Sequence, residues 1–382
     1  MSTDWRQALL DSLEQPVVSK AHSIADGVLL GGPVILYGVG ECSHWFLEIA
    51  MKRHGLQPRA VIDRVYRKGD VWHGIPACAP DDYVPTEEEK REARVVIAVG
   101  NEAYHAEIVT MLTAKGFSHI LLLRDIYEIH NPFSQPPALA DKGSAFFTEN
   151  RPAILAAFDL LEDDASREVF VRFVQTHLHR LPRPLPQRPR NEQYFPKDIA
   201  LSRGHSRFVN CGSYDGDGVR LLRQTLGKVE AVACFEPEPH IYARLTDYLR
   251  NHAETLADQV LTWPCAVYGH SGQMPFIPGD GLGSRISPEG KAIVQCVTLD
   301  DALPGFDPTF ISMDVEGAEP EVLRGAERIL RASRPDLGIC VYHSADHIWT
   351  LPLYLHGLGL GYRFFLRNYT SFTIETVLYA TC

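Results

Sequence analysis

Two carboxylates follow a short apolar stretch of the chain. The stretch, Phe310–Met313, has the length of a strand, and Asp314 and Glu316 stand where it ends. Gly317 lets the chain turn, and apolar residues then recur at helical spacing. We expect Glu319, in the first turn of that helix, to complement the helix dipole. Because open α/β folds bind ligands at the carboxyl edge of the sheet, Asp314 and Glu316 are predicted to face a ligand. Two acids this close can share a cation, orient a substrate hydroxyl, or raise the pKa of one of them to make a base.

A glycine-rich loop follows another predicted strand, residues 207–211. Residues 212–218 read GSYDGDG and precede a predicted helix. Glycines let a ligand approach the backbone, and free amide groups at a helix start favour electronegative groups. The next predicted strand, residues 231–235, ends in Glu236. A carboxylate in this place can accept hydrogen bonds from both hydroxyl groups of a ribose. Together, the loop and the acid favour an adenosine-containing ligand.

As a set, these segments resemble the FkbM-type methyltransferases, which use S-adenosylmethionine to methylate hydroxyl groups. The resemblance covers roughly the C-terminal half of the chain. It is carried by residues 310–330, by the F-E-P sequence of residues 235–237, and by the Tyr342-His343 pair. It implies a class I methyltransferase fold with S-adenosylmethionine as cofactor. The acceptor that it implies is a hydroxyl of a small molecule or glycan in polysaccharide biosynthesis.

In the resembled family, the glycine-rich loop cups the amino-acid end of the cofactor. The residues to which this role carries over are Asn210, Gly212, Ser213 and Asp215. The family usually has an acid where this chain has Asn210, and Asp215 or Asp217 could supply the missing charge. The resemblance places Glu236 and Pro237 at the ribose and Ala266 along the adenine.

The resemblance also implies roles for the residues at the edge of the sheet where methyl transfer would take place. It implies that Asp314 lies close to the transferred methyl group, with Glu316 as its partner. His343 would be the general base that deprotonates the acceptor hydroxyl. Alternatively, Asp314, Glu316 and His343 could hold a divalent metal ion that acidifies the hydroxyl. Both possibilities stay open at this point, and we expect His347 to be structural.

The alternation of strands and helices predicts an α/β protein with three regions. Residues 1–130 form a smaller Rossmann-like α/β domain, and residues 131–200 form a helical bridge with a linker rich in proline and arginine. Residues 201–382 form the methyltransferase domain, a Rossmann-like sheet that ends in an antiparallel hairpin. A second glycine-rich loop, residues 278–290, is either a ligand-closing element or a mobile surface loop.

The N-terminal region carries a partial dinucleotide fingerprint. Gly38 and Gly40 follow a predicted strand and Asp63 ends the next one, but Ser43 occupies the third glycine position. The region looks like the small Rossmann-like domains that precede sugar-modifying enzymes, which bind a nucleotide-sugar or only dock and form a homodimer. We expect a scaffold rather than a nucleotide site. The alternative function is a nucleotide-sugar-binding or NAD-dependent protein that uses this domain, with a non-catalytic methyltransferase-like domain.

Composition narrows the class of protein further. The 382 residues carry a formal net charge of −11, which argues against a nucleic-acid partner. None of the eight cysteines forms a C-x-x-C pair, so a zinc ribbon or a redox dithiol is not expected. The sequence contains neither an apolar stretch of membrane-spanning length nor an N-terminal signal segment, and we expect a cytoplasmic protein.

Overall fold

The structure, a computed structural model, describes residues 3–15, 24, 27–126, 144–179, 184–279, 284–370 and 372–382. The predictions for residues 131–143, for the start of the proline-rich linker at 181–183 and for the glycines at 281 and 283 lie outside these ranges. The described residues divide into two compact units. The small unit comprises those of 17–132 and 179–183, and the large unit comprises those of 1–16, 133–178 and 184–382.

Seventeen strands lie within the described ranges. They are β1 (Val34–Tyr37), β2 (Ala60–Ile62), β3 (Asp70–Trp72), β4 (Ile75–Cys78), β5 (Arg94–Ile97), β6 (His119–Leu122), β7 (Arg207–Cys211), β8 (Val229–Phe235), β9 (Ala257–Trp263), β10 (Ala266–Val267), β11 (Gly272–Ile277), β12 (Arg285–Ile286), β13 (Ala292–Val297), β14 (Phe310–Met313), β15 (Asp336–Cys340), β16 (Arg363–Asn368) and β17 (Thr376–Thr381).

Thirteen α-helices accompany these strands. They are α1 (Trp5–Glu14), α2 (Glu41–Trp45), α3 (Glu87–Glu92), α4 (His105–Ala114), α5 (Ala145–Glu149), α6 (Arg151–Asp159), α7 (Asp164–His179), α8 (Asp217–Leu226), α9 (Pro239–Leu256), α10 (Leu299–Ala302), α11 (Glu319–Arg324), α12 (Glu327–Ser333) and α13 (His347–Gly357). Helix α2 continues into a π-helical segment, Phe46–Met51. Across the described ranges, every helix is too short or too polar to cross a membrane.

The small unit is built on a six-stranded sheet. Its strand order is β3-β4-β2-β1-β5-β6, and every neighbouring pair is parallel except β3 and β4. The β3–β4 hairpin was not predicted from the sequence. Its strands are short, and its turn uses His73 at φ +49° beside Gly74 at φ +77°. These are the two left-handed residues of a tight hairpin turn.

The large unit is built on a seven-stranded sheet of order β16-β17-β15-β14-β7-β8-β9. The five strands β15, β14, β7, β8 and β9 are parallel to one another. The predicted C-terminal hairpin is present, and β17 lies antiparallel to both β15 and β16. The α/β class I methyltransferase architecture expected from the sequence is therefore confirmed.

A second, four-stranded sheet of order β10-β13-β11-β12 was not foreseen. Residues 261–267 read as one strand in the sequence, but the structure divides them between β9 and β10. Pro264 lies at the break, where it cannot donate a hydrogen bond to a neighbouring strand. As a result, Ala266 pairs with Cys296 of β13 instead of continuing the large sheet.

Helices α1, α6 and α7 pack within the large unit. The Ser12 hydroxyl of α1 accepts a hydrogen bond from Gln175 of α7 at 2.7 Å. Arg367 of β16 is 2% exposed and pairs with Asp163, which precedes α7, at 2.7 Å. The helical stretch expected over residues 151–179 is thus two helices, and the residues between them bind to the sheet.

Candidate active site

The carboxyl ends of three parallel strands bring the predicted residues together. Met313 of β14 lies in register with Cys211 of β7 and with Ile339 of β15. The residues that follow these strands therefore emerge at one edge of the sheet. Gly212 has φ +78°, and a Cβ atom at this position would stand 1.9 Å from the Asp314 carbonyl oxygen. Only a glycine lets the loop approach the Asp314 backbone this closely.

The three residues expected to act in catalysis lie side by side. The Nε2 atom of His343 is 3.2 Å from Oδ1 of Asp314 and 3.6 Å from Oε2 of Glu316. The His343 side chain is not exposed at all, whereas that of Asp314 is 30% exposed and that of Glu316 is 23% exposed. A ligand entering from solvent would therefore meet the two carboxylates before it met the imidazole.

Glu319 has a role that sequence analysis missed. It begins α11 as expected, but its side chain is completely buried. Its Oε1 atom lies 2.7 Å from Nδ1 of His343 and accepts a hydrogen bond from the Val315 amide at 3.1 Å. Its Oε2 atom faces Nδ1 of His347 at 3.3 Å. An acid in the first turn of a helix is so common that its sequence position alone could not reveal this contact.

The buried histidine and its carboxylates change one another's ionisation. Burial by itself would lower the pKa of His343 and raise that of Glu319, because each charge loses water. The charges of Glu319 and Glu316 and the hydrogen bond to Asp314 outweigh burial, and they hold the pKa of His343 well above its ordinary value. The charges and hydrogen bonds of His343 and His347 hold the pKa of Glu319 below its ordinary value. These contacts favour the charged form of His343, paired with the buried carboxylate of Glu319.

The same geometry bears on the predicted metal site. Asp314, Glu319 and His343 bring possible ligand atoms within 4.8 Å of one another. A histidine binds a metal ion through a nitrogen that carries no proton. Both ring nitrogens of His343 lie close to carboxylate oxygens, Nδ1 at 2.7 Å from Glu319 and Nε2 at 3.2 Å from Asp314. While the imidazole is paired with carboxylates in this way, it offers no free nitrogen to a divalent metal ion.

Tyr342 and Glu375 also belong to this edge and were not predicted as site residues. The Tyr342 hydroxyl donates to Oδ1 of Asp314 at 3.3 Å. Carboxylate oxygens of Glu375 and Asp314 lie within 4.8 Å of each other. Burial, together with the charge of Asp314, raises the pKa of Glu375 to about 7. Glu375 precedes β17, far along the chain from Asp314, so only the folded sheet reveals that they are neighbours.

Asn210 and Ser213, both predicted to bind the cofactor, have different hydrogen-bond partners in the structure. Asn210 is 4% exposed and donates from Nδ2 to the Ser312 hydroxyl at 2.8 Å. Its Oδ1 atom has no hydrogen-bond partner within the described part of the chain. The hydroxyl of Ser213 is fully buried and links two strands, since it donates to the Asn210 carbonyl and accepts from the Phe235 amide. Asn210 therefore keeps a buried acceptor oxygen near the end of β7, whereas the Ser213 side chain holds the sheet together.

Two aspartates flank this loop. The Asp215 carboxylate lies 2.6 Å from Arg244 and 3.7 Å from Arg220, so its charge is already matched. Asp217 is exposed at the start of α8, and its Oδ1 atom accepts a hydrogen bond from the Gly218 amide at 2.7 Å. Desolvation, together with the charges of Asp314 and Asp215, raises the pKa of Asp217. Asp217 is the better placed of the two to supply the charge that Asn210 lacks.

Glu236 is held rigidly at the end of β8. One oxygen accepts a hydrogen bond from the Tyr214 amide at 3.0 Å, and the other accepts from the Glu238 amide at 2.9 Å. Burial raises its pKa to about 7. Glu238 is itself buried and accepts a hydrogen bond from the hydroxyl of Ser284. Glu236, the residue expected to bind the ribose, is therefore held in one orientation. Ser284 of the second glycine-rich loop contacts Glu238, which in turn contacts Glu236.

The two remaining residues predicted to bind the cofactor belong to different parts of the large unit. Pro237 is half-buried beside Glu236, whereas Ala266 is 7% exposed in β10 and packs with Phe276 and Cys296 in the core of the four-stranded sheet. An adenosine ligand would need an acceptor for its ribose, an apolar wall and an acceptor for its amino-acid end. Glu236, Ala266 and the vacant Oδ1 of Asn210 have these properties.

In the small unit, the loop of Gly38 and Gly40 is hydrogen-bonded to Asp63, the acid that follows the next strand. Oδ2 of Asp63 accepts a hydrogen bond from the Val39 amide at 3.1 Å, and Oδ1 accepts from the Val65 amide at 3.0 Å. Gly38 adopts φ +104°, and the hydroxyl of Ser43 donates to the Ala98 carbonyl at 3.1 Å. The Asp63 carboxylate thus accepts one backbone hydrogen bond on each oxygen, as Glu236 does in the large unit.

Comparisons with known proteins address the large unit most directly. Residues 210–366 match the family model of the methyltransferase FkbM domain. The chain is also similar in structure to the methyltransferase FkbM from Methylobacillus flagellatus KT, with 20% sequence identity, a TM-score of 0.71 and coverage of 99% of each chain. No curated protein sequence matches the chain.

Two further solved structures share less of the fold. Fibrillarin from Aeropyrum pernix, in complex with S-adenosyl-L-methionine, has a TM-score of 0.31 at 11% identity, over 48% of this chain and 70% of its own. Precorrin-6y C5,15-methyltransferase from Geobacter metallireducens GS-15 has a TM-score of 0.27 at 14% identity, over 45% of this chain and 78% of its own. Their scores are too low to add to the argument. The family match spans the strand ends that carry Asn210, Glu236, Asp314 and His343, and residues 210–366 are a methyltransferase domain of the FkbM family.

Proposed function

We propose that this protein is an S-adenosylmethionine-dependent O-methyltransferase that acts on a hydroxyl group of a sugar or glycan-related metabolite. The observation that carries the proposal is the partly exposed carboxylate of Asp314. The backbone carbonyl of Asp314 lies against Gly212 of the glycine-rich loop. Its carboxylate lies beside the buried His343–Glu319 pair. A hydroxyl that approaches this edge has a hydrogen-bond acceptor fixed in place before it arrives.

The residues that would hold the cofactor are Asn210, Glu236 and Ala266. The vacant Asn210 oxygen suits an ammonium donor, and Glu236 retains acceptor capacity for ribose hydroxyls. When bound, S-adenosylmethionine supplies an electrophilic methyl group on a sulfonium. Asp217 and Asp314 are both accessible to solvent, and their negative charges favour a ligand of net positive charge.

The acceptor hydroxyl must lose a proton as its oxygen gains the methyl group. In this arrangement Asp314 is the group that the hydroxyl reaches first, since the His343 side chain is fully buried. The proton becomes strongly acidic as the new carbon–oxygen bond forms, so a carboxylate is a sufficient acceptor for it. The Nε2 atom of His343 lies 3.2 Å from Asp314 and orients it through an ion pair, and Glu319 holds His343 in turn. The base role expected for His343 itself remains a prediction, which a pH profile distinguishes from this scheme.

The decisive experiment is calorimetry on the full chain with S-adenosylhomocysteine and, separately, with NAD. We expect micromolar binding of the former and none of the latter. An assay with S-adenosylmethionine that carries an isotope-labelled methyl group should then yield an O-methyl product. Tight binding of NAD without binding of S-adenosylhomocysteine would favour the alternative function of the small unit and sink the proposal.

A further inference from the structure

A segment that precedes the methyltransferase domain reaches its active edge. The described residues 184–195, here called the strap, run along the hairpin formed by β16 and β17. The Arg188 amide donates to the Asn368 carbonyl at 2.8 Å, and the Tyr194 amide donates to the Tyr379 hydroxyl at 2.9 Å. Both ends of the strap are therefore tied to the hairpin.

The strap holds the side chain of Glu375. Gln193 donates a hydrogen bond from Nε2 to one carboxylate oxygen, and Arg190 lies 3.6 Å from the other. The Glu375 backbone adopts φ +58°, a left-handed conformation that costs energy for a residue with a side chain. The two contacts from the strap and the strained backbone together fix the orientation of the Glu375 carboxylate. The Glu375 side chain remains 16% exposed to solvent.

Glu375 lies close to the reaction-edge acid. Its carboxylate, that of Asp314 and the Sγ atom of Cys340 lie within 4.8 Å of one another. One hydroxyl group, or two on adjacent carbon atoms, can hydrogen-bond to two carboxylate oxygens that are no farther apart than this, since each O–H···O bond measures about 2.7 Å. A donor that binds Asp314 therefore has Glu375 within reach, either for itself or for a donor on the next carbon atom.

We propose that Glu375 determines acceptor specificity by accepting a hydrogen bond from a hydroxyl adjacent to the one that is methylated. The acceptor class is then a vicinal diol rather than an isolated hydroxyl. The inference rests on the proposed function. Glu375, Gln193 and Arg190 all lie outside the residues matched by the family model.

The test uses the full chain with saturating S-adenosylmethionine, and methyl glycosides of the common hexoses serve as acceptor probes. Release of S-adenosylhomocysteine gives kcat and KM for each probe. The best probe is then compared with the deoxy analogue that lacks the hydroxyl next to the methylated one. We expect wild-type kcat/KM to be about tenfold higher for the diol, the usual effect of a hydrogen bond to a charged group.

The matched variants are Glu375→Gln and, as control, Glu254→Gln on the exposed face of α9. Glu375→Gln should lower kcat/KM for the diol about tenfold, mainly through KM, and leave the deoxy analogue within about twofold. Glu254→Gln should change neither value. Calorimetry with S-adenosylhomocysteine should give the same affinity for all three proteins, which shows that the fold and the cofactor site are intact.

Two results would overturn the inference. One is a Glu375→Gln variant that discriminates between diol and deoxy probe as well as wild type does. The other is saturation-transfer NMR in which wild type with S-adenosylhomocysteine binds none of the glycosides. Failure of wild type to bind S-adenosylhomocysteine is a separate outcome, which counts against the proposed function and so removes the basis of this inference.

Discussion

The Nδ1 atom of His343 lies 2.7 Å from Oε1 of Glu319, and neither side chain is exposed to solvent. Glu319 begins α11, whereas His343 follows β15. The pair therefore fastens a helix start to the neighbouring strand end, beside the carboxylate of Asp314. It sets both the orientation and the charge of the imidazole.

Glu319→Gln should destabilise the protein strongly. The substitution leaves the His343 imidazolium without its buried counter-ion, and loss of one partner of a buried pair costs about 3–5 kcal/mol of unfolding free energy. Urea denaturation followed by circular dichroism measures the change. Glu321→Gln is the matched control, because Glu321 lies in the same helix with a partly exposed side chain paired to Arg324. A Glu319→Gln variant as stable as that control would refute the role of the pair.

The stability contributed by the pair should depend on pH in a defined direction. The folded pKa of His343 is raised above its ordinary value of 6.5, so its contribution is complete below pH 6.5 and is lost as the pH rises through the folded pKa. The folded pKa of Glu319 is below its ordinary value of 4.5, so its contribution is present above pH 4.5 and is lost as the pH falls through the folded pKa. We expect the Tm of wild type to fall more steeply from neutral to alkaline pH than the Tm of His343→Gln. Parallel slopes would contradict the assignment.

The pH profile of turnover distinguishes the two proton acceptors. If Asp314 takes the hydroxyl proton and His343 acts as a charged positioning residue, kcat is already maximal at neutral pH and declines when His343 loses its proton. If His343 is the base, kcat must instead rise with pH through the raised pKa of His343. We expect the decline, with S-adenosylhomocysteine affinity constant over the same range. His343→Ala should lower kcat at least about a hundredfold in either case.

Glu236→Gln should weaken S-adenosylhomocysteine binding by about tenfold, because an amide replaces one of the two acceptor oxygens at the ribose. In wild type the affinity should also fall as the pH drops below the Glu236 pKa of about 7, since protonation removes the acceptor charge. Calorimetry at several pH values measures both effects. Glu230→Gln, on the same strand but more than half exposed, is the control and should bind like wild type.

Turnover should be insensitive to metal chelators. Both nitrogens of His343 are engaged by carboxylates, so the edge has no imidazole lone pair for a divalent ion. Dialysis against EDTA should leave kcat unchanged, and added Mg²⁺ or Mn²⁺ should not raise it. Activity that EDTA abolishes and Mg²⁺ restores would revive the metal alternative and would require His343 to be neutral when the ion is bound.

Much of the fold and part of the site could be predicted from the sequence. Apolar runs of strand length are local signals, and β7 and β14 lie where such runs predicted them. Parallel strands end at a common edge, so the residues that follow them, such as Gly212, Glu236 and Asp314, had to lie near one another. The chain breaks at Pro264 and between α6 and α7 were missed, because a continuous apolar pattern does not show where pairing stops.

By itself, the sequence determined the class of fold, the edge of the sheet that carries the site and the family of the domain. Only the tertiary structure decided what the charged residues do there. Glu319 has the sequence position of an ordinary helix-start acid but is buried against His343, and Glu375 reaches Asp314 through a hairpin and a strap. The physical reason is that strand formation depends on local side-chain pattern, whereas the ionisation and contacts of a carboxylate depend on which distant charges and how little water the folded chain leaves around it.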